Sequence, residues 1–469
     1  MDSQSETTTF PLRLLVDKER HRVVAAEATT AFVDILFGFL TLPMGTIVRL
    51  VRTEQVQHPA VIGCMNNLYS SVEKLANEDF VNDVCKQMLL HPHNPCDSLC
   101  RKLKINVDDT EAVKFFVCAS CSCYSTFPNE ICNCSRSLNQ EAKMVDIDSN
   151  DGVFLKGSAM FLIFDDLKVV PNLPGSSAKL FLKLGYKDLN QLVDMNLNVG
   201  LKEIKDLLKH ALSSQSPLTS LFLPRKNIEV KSEELFSNED QQQKVKKGST
   251  GSKVELKVVL SKSENKLLFA EVTESFTDWL LNLLRLPLGH VLLLLDGNSS
   301  LGCVDNLYKS VANLDSSRCT LSSSYLLNPG MVQPLHSSSD LLSVVAPQYF
   351  YGYGSHFGVY DNVIGRHADQ LSHCKVFERT RQFVKRTSAF AVFDDLQVKT
   401  LSSTSVITFL KDLKVPFDDF EEKVVCFGST EALKLLKAAL TSTAALTNSL
   451  NFILKKSKQE SSECKVIAR

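Results

Sequence analysis

Seven of the 14 cysteines of this 469-residue chain fall between Cys96 and Cys134, and their spacing suits a metal. Zinc takes four tetrahedral thiolate or imidazole ligands, often as two close pairs joined by a loop. Cys132 and Cys134 are two apart, so on an extended chain both thiols point to one side. Cys118 and Cys123 bracket a four-residue knuckle. Cys121 is the alternative to Cys123, because two intervening residues is nearer the usual zinc spacing. Cys96 and Cys100, at i and i+4, join the candidates if that segment is helical. The expectation is one structural zinc held by Cys118, Cys132, Cys134 and either Cys123 or Cys121. Four thiolates leave no open position for water, so the metal would not be catalytic. Ordinary reduced cysteines are the competing reading.

The carboxylates come next. Asp165-Asp166 and Asp394-Asp395 each follow a short apolar run, but neighbours at a strand end point to opposite faces and do not converge on one ion or substrate. Turn formation accounts for them, and for Asp108-Asp109. Glu27 and Glu271 each follow an alanine at a strand end and are weak candidates for partly buried acids. His91 and His93 flank a proline in a loop; His210 and His290 fall on expected helices. Gly200 and Gly428 each precede a helix whose N-terminus could hold an anion, although chain reversal alone explains a glycine there. Gly352-x-Gly354-x3-Gly358 misses the dinucleotide fingerprint by one residue, with no helical pattern after it. No G-x-S-x-G, phosphate loop or H-E-x-x-H is present. No catalytic residues are therefore assigned.

Composition narrows the classes further. The chain carries 52 Lys+Arg against 53 Asp+Glu, so no field of one sign favours nucleic acid or an anionic membrane. Residues 1–9 are polar and lack the basic and apolar regions of a secretory leader. With the many thiols, this points to an intracellular protein, cytoplasmic in the first instance. Lys244, Lys246 and Lys247 are the one hint of a nuclear address. The most apolar stretch, residues 279–295, is broken by Asn282, Arg285, Pro287 and His290 and falls short of the roughly 20 apolar residues of a span. It reads as a buried helix and its continuation.

The elements that must position these groups occur twice. Residues 12–48 match residues 256–292 at a constant offset of 244, pairing Ala26-Glu27 with Ala270-Glu271 and Leu42-Pro43 with Leu286-Pro287. Gly63 to Tyr69 then matches Gly302 to Tyr308, Phe161 to Leu167 matches Phe390 to Leu396, and Leu207 to Lys209 matches Leu435 to Lys437, all in the same order. Such an ordered set is the signature of internal duplication. In each copy two short β-rich runs form a hairpin (12–16 and 22–27 in the first). A helix follows, with Thr29 able to cap it and Phe32, Leu36, Phe39 and Leu40 as its apolar stripe. Phe161 to Phe164 is of strand length. The closing helix buries Ile204, Leu207, Leu208 and Ala211 in one copy, and Ala432, Leu435, Leu436 and Ala439 in the other. The fold class is α+β: two tandem homologous domains, the first with a cysteine-rich, zinc-knuckle-like loop. The first repeat is set at 10–224, with its cysteine loop at 96–134. A polar, flexible linker at 225–253 leads to the second repeat at 254–455 and a disordered tail at 456–469. Each repeat is expected to fold alone, so that a cut in the linker leaves two folded halves. Aligning Phe115-Phe116 with Tyr349-Phe350 puts Gly352 opposite Cys118 and Phe357 opposite Cys123, so the second repeat has lost the cysteine set.

The chain resembles the plant family of domain of unknown function 674. The resemblance lies in the opening L-x-L-x-V…A-E…F-V-D-x-L…L-P-x-G-T-I-V-R-L at 12–50, the G-C-x-x-N-L-Y block at 63–69 and the V-G-x-x-E close at 199–209. The family's cysteine set, spaced C-x4-C…C-x-C, matches Cys118, Cys123, Cys132 and Cys134, with Ser135 where a glycine commonly follows. The resemblance implies a plant protein, often in tandem copies, with no established activity. The expected function is that of a non-enzymatic interaction or scaffold protein with protein partners and no membrane. An enzyme with a site in the first copy or between the copies, and a nucleic-acid-associated zinc module, are the alternatives.

Overall fold

The computed structural model describes residues 8–52, 61–118, 123–126, 130–131, 134–141, 143–144, 152–224, 253–263, 266–330, 341–342, 350–353, 356–359, 372–376, 382–386, 389–401, 411–412 and 415–450. The expected linker at 225–253, apart from Lys253, and the tail at 456–469 lie outside the described residues, as do Lys244, Lys246 and Lys247.

The opening alternation makes β1 (Phe10–Asp17), with Phe10, Leu12, Leu14 and Val16 inside, and it hairpins into β2 (Arg22–Thr29). Helix α1 (Thr30–Gly38) follows. Thr29 holds the N-cap position without a side-chain bond. Strand β2 runs as far as Thr29, so Thr30 takes the polar role instead: its Oγ1 donates to the Ala159 carbonyl and accepts from the Ala159 N–H, both at 3.0 Å. The expected stripe is buried, but Phe39 and Leu40 lie in a 3-10 turn ahead of Pro43, which cannot continue a helix interior. Then come α2 (Met44–Val51), α3 (Met65–Lys74), β3 (Met160–Phe164), β4 (Val169–Pro171), β5 (Leu192–Val199) and α4 (Leu201–Ser213).

The second half repeats this series as β6 (Val254–Ser261), β7 (Lys266–Val272), α5 (Glu274–Asn282), α6 (Leu288–Leu294), α7 (Val304–Ala312), β8 (Ala389–Phe393), β9 (Val398–Leu401), β10 (Phe420–Phe427) and α8 (Ser429–Thr441). The apolar stretch 279–295 is thus split between α5, a 3-10 turn and α6. Among the described residues no helix is long and apolar enough to cross a membrane.

Each half supplies one antiparallel five-stranded sheet, ordered β4-β3-β2-β1-β5 and β9-β8-β7-β6-β10. Their registers agree in detail. Arg13 faces Glu27 as Lys257 faces Glu271, and a bulge between Leu15 and Val16 recurs between Val259 and Leu260. The fold is α+β, as expected. The apolar cores, however, are not separate: α1 to α4 and α5 to α8 contribute to one continuous cluster that includes Phe32, Leu68, Leu208, Phe276, Leu307 and Leu436. A further seven-stranded sheet draws strands from both halves. In it Cys123–Ser125 runs parallel to Ser372–Val376, and His356–Val359 runs parallel to Lys143–Met144.

Candidate functional site

The polar residues that recur in both halves gather where the halves meet, and each half reaches into the other. At the centre, Pro43 lies opposite Pro287, the Met44 N–H donates to the Leu286 carbonyl, and the Leu288 N–H donates to the Leu42 carbonyl, both at 2.9 Å. On one side, Gly63 and Cys64 dock on the C-terminal end of α8. The Cys64 N–H donates to Ala439 O at 2.8 Å and its Sγ to Ser442 O at 2.9 Å. On the other, Cys303 repeats both bonds at the end of α4, to Ala211 O at 2.8 Å and Ser214 O at 3.2 Å. The last carbonyls of a helix lack partners within it, and these cysteines supply donors. Burial pushes the thiols of Cys64 and Cys303 up to about 12, which keeps them protonated for this task. Gly63 and Gly302 have φ of 43° and 52°. A Cβ there would stand 2.5 Å from Ala439 O and 2.2 Å from Ala211 O, respectively.

The same exchange continues along α3 and α7. Asn67 Nδ2 donates to Asp395 O at 3.1 Å, and Asn306 Nδ2 to Asp166 O at 3.0 Å. Ser71 Oγ accepts from the Val398 N–H and Ser310 Oγ from the Val169 N–H, both at 2.9 Å. The aspartate pairs act as turn formers. Asp165 accepts from the Thr219 N–H and hydroxyl, and Asp394 does the same with Thr447. Asp166 and Asp395 accept from the N–H two residues on, across turns in which Leu167 and Leu396 have φ near 60°.

Sequence reasoning passed over a further pair. Asp34 on α1 and Asp278 on α5 are buried, and each secures a strap of its own half. Asp34 accepts from the N–H groups of Val153, Phe154 and Leu155 at 2.8, 3.2 and 3.0 Å. Asp278 Oδ1 accepts from Phe383 and Val384 at 2.9 and 3.0 Å. Burial raises the first carboxyl to about 6 and the second to about 7. The straps then bridge to the opposite half, Leu155 against Cys319 and Val384 against Phe80. An aspartate inside an apolar helix at the same place in both halves was the available signal.

The cysteine window is only partly within the described residues. Cys118 is buried, Cys134 is exposed, and their Sγ atoms stand 3.4 Å apart. Cys123 opens a short strand; its side chain, Cys121 and Cys132 lie outside the described residues. Among the described residues no cluster of three or more His, Cys, Asp or Glu is placed to hold a metal. Cys96 and Cys100 are committed elsewhere. They are buried in the core, Cys96 Sγ donating to Tyr325 O at 3.5 Å and Cys100 Sγ lying 3.3 Å from Thr41 Oγ1.

The remaining candidates do not converge. Glu27 pairs with Arg13 at 2.7 Å on a sheet surface, and Glu271 with Lys257 at 3.3 Å. His91 is exposed, burial lowers the basicity of His93, and His290 Nδ1 lies 2.8 Å from Asn328 Oδ1. His210 is half-buried on α4. At α4 and α8 the N-terminal position suited to an anion is taken by the chain's own carboxylates, Glu203 on the Gly200 N–H at 2.9 Å and Glu431 on the Gly428 N–H at 3.1 Å. Gly352 and Gly358 belong to a hairpin, not to a strand-to-helix turn, and Gly354 lies outside the described residues. A small pocket between the halves, lined by Phe37, Phe154, Val311, Cys319 and Leu326 among others, is predominantly apolar.

No curated protein and no solved structure matches the chain. The sequence model of the protein of unknown function family DUF674 matches residues 6–430, most of the chain, and the chain belongs to that family.

Proposed function

We propose that this is a non-enzymatic interaction or scaffold protein of the plant cell interior, built from two copies of one unit by internal duplication. The observation that carries the reading is the use to which the recurring polar residues are put. Gly63-Cys64, Asn67 and Ser71, with Gly302-Cys303, Asn306 and Ser310 opposite, are engaged in holding the halves together. The recurring aspartates are engaged in turns and straps. Residues tied up in buried structural bonds are poorly placed to exchange protons or bind substrate, and this favours a protein that acts through its surface. The test is affinity purification of the full chain from plant tissue, followed by reconstitution with each enriched protein. Direct binary binding with purified components supports the reading. Enrichment that disappears on reconstitution, or turnover of a small molecule by the purified chain, overturns it.

We further propose that the first copy carries one structural zinc on Cys118, Cys132, Cys134 and either Cys123 or Cys121. The support is the approach of Cys118 and Cys134, 16 residues apart in sequence, to 3.4 Å between sulfurs. A tetrahedral site with zinc–sulfur bonds of about 2.3 Å sets its sulfurs about 3.8 Å apart, so a small outward movement would accommodate the ion. Elemental analysis of protein purified without added zinc decides the matter: a value near one per chain supports the site, and a value near zero with freely titratable thiols removes it.

A further inference from the structure

Several polar contacts between the halves come in matched pairs, each using on the receiving side a group that the donating half also possesses; the Thr400 hydroxyl on Asp79 is unmatched, because Pro171 stands at the corresponding place in the first half. Cys64 binds Ala439 O and Ser442 O, while Cys303 binds Ala211 O and Ser214 O. Asn67 meets Asp395, and Asn306 meets Asp166. Ser71 meets Val398, and Ser310 meets Val169. Corresponding distances agree within 0.3 Å. The straps follow suit: the Val81 N–H donates to Phe383 O and the Thr320 N–H to Phe154 O, at 2.8 and 2.9 Å. A surface in which residue i meets j while j meets i is the property of a two-fold dimer interface.

We propose that the first half is self-complementary, so that residues 8–224 released from the second half pair with a second copy of themselves through the same contacts. Within such a pair Cys64 would meet Ala211 and Ser214 of the second copy, Asn67 would meet Asp166, and Ser71 would meet Val169. Leu42-Pro43 would lie across the dyad from its own copy. The inference rests on the contacts between the halves and not on zinc or on any partner.

The second half does not share the property, because of one position. Arg285 precedes Leu286-Pro287 as Thr41 precedes Leu42-Pro43. Its guanidinium is buried, 5.5 Å from the centre of the Phe383 ring, and burial lowers it to about 10. Two second halves would bury two like charges close to the dyad, which is costly. Two first halves would instead bring two copies of Thr41, whose hydroxyl already donates to Gly38 O and accepts from Asn94 Nδ2 within its own half.

The test begins with the full chain carrying a protease site between residues 225 and 252. The cut chain is unfolded and refolded with the halves in equal amounts, and again with either half in several-fold excess. Cutting during co-expression sets the same ratios without refolding. Native mass spectrometry should then show a species of twice the first-half mass whenever the first half is in excess. No species of twice the second-half mass should appear. Gly63→Val in the first half should abolish both its self-pairing and its pairing with the second half. Excess first half that remains monomeric or aggregates, under conditions where equal amounts recover the mixed pair, overturns the proposal. So does self-pairing that survives Gly63→Val.

Discussion

Cys64 and Cys303 make the same two hydrogen bonds to the closing helix of the opposite half. Cys118, by contrast, has Gly352 at the corresponding place, and the strand that begins at Cys123 has its counterpart in a hairpin strand, His356–Val359. These two regions divide the labour of the chain. Around the dyad a change in one half must be matched in the other, because each motif block grips the closing helix and the aspartate turn of the opposite half. In the cysteine window the backbone pairing is retained while the side chains have diverged, so this region is free to acquire a property in one half alone. Agreement between the halves marks what holds the molecule together, and disagreement marks where a specific property can be sought.

The strongest way to break this comparison is at its glycines. Gly63→Val and Gly302→Val each force a branched side chain into a positive φ and against a carbonyl 2.5 or 2.2 Å from the new Cβ. Each should cost about 3 kcal/mol or more in denaturant unfolding. The two losses should be similar, since both residues dock on equivalent helix ends. Cutting between residues 225 and 252 tests the shared core more gently. The nicked halves should co-elute and unfold in one transition whose midpoint now depends on concentration. Two independent transitions would restore the reading of two self-sufficient domains.

The strap carboxylates sharpen the comparison, because they are alike in place and unlike in bonding. Asp34 accepts through both oxygens, so Asp34→Asn sets an amide donor against an N–H and should cost about 2 kcal/mol. Among the described residues Asp278 accepts through Oδ1 alone, so Asp278→Asn should cost about 1 kcal/mol or less. Both carboxyls lie above their unfolded value of about 3.9, so the protonated form favours the fold. That contribution is full below about pH 4 and is lost as the pH rises through about 6 for Asp34 and about 7 for Asp278. Measured from pH 5 to 8, the decline in stability should be shallower in Asp278→Asn than in the parent chain.

On the proposed zinc site, Cys134→Ser should abolish metal binding and speed amide exchange in the cysteine window. Global stability should fall by under about 2 kcal/mol, because the main core lies elsewhere. The smallest effect is expected at the sheet surface. Arg13 bridges Glu27 and Asp194, and Lys257 bridges Glu271 and Glu422. These groups are largely exposed, so Arg13→Ala and Lys257→Ala should each change stability by about 0.5 kcal/mol or less.

Much of the local structure was legible in the residues. Alternation at 12–16 fixes a strand with one buried face, and the 3.6-residue spacing of Leu207, Leu208 and Ala211 fixes a helix with one buried stripe. Asp166 and Asp395 bind their own backbone two residues on, which is why these turns could be read without knowing the fold, whereas Asp165 and Asp394 hold Thr219 and Thr447 more than 50 residues away. The fourfold ordered match between the halves likewise needed no coordinates. What the residues alone left open was the partner of each block. Gly63 to Tyr69 is as compatible with the end of α4 as with the end of α8, because the two ends offer the same carbonyls. Asp34 and Asp278 escaped notice for a related reason: a buried carboxylate has meaning only once its backbone donors, more than 100 residues away, are in place. Identical motifs make docking within a half and docking across halves locally equivalent, so the choice between them falls to the path of the chain and the closure of one common core, which only the tertiary structure decided.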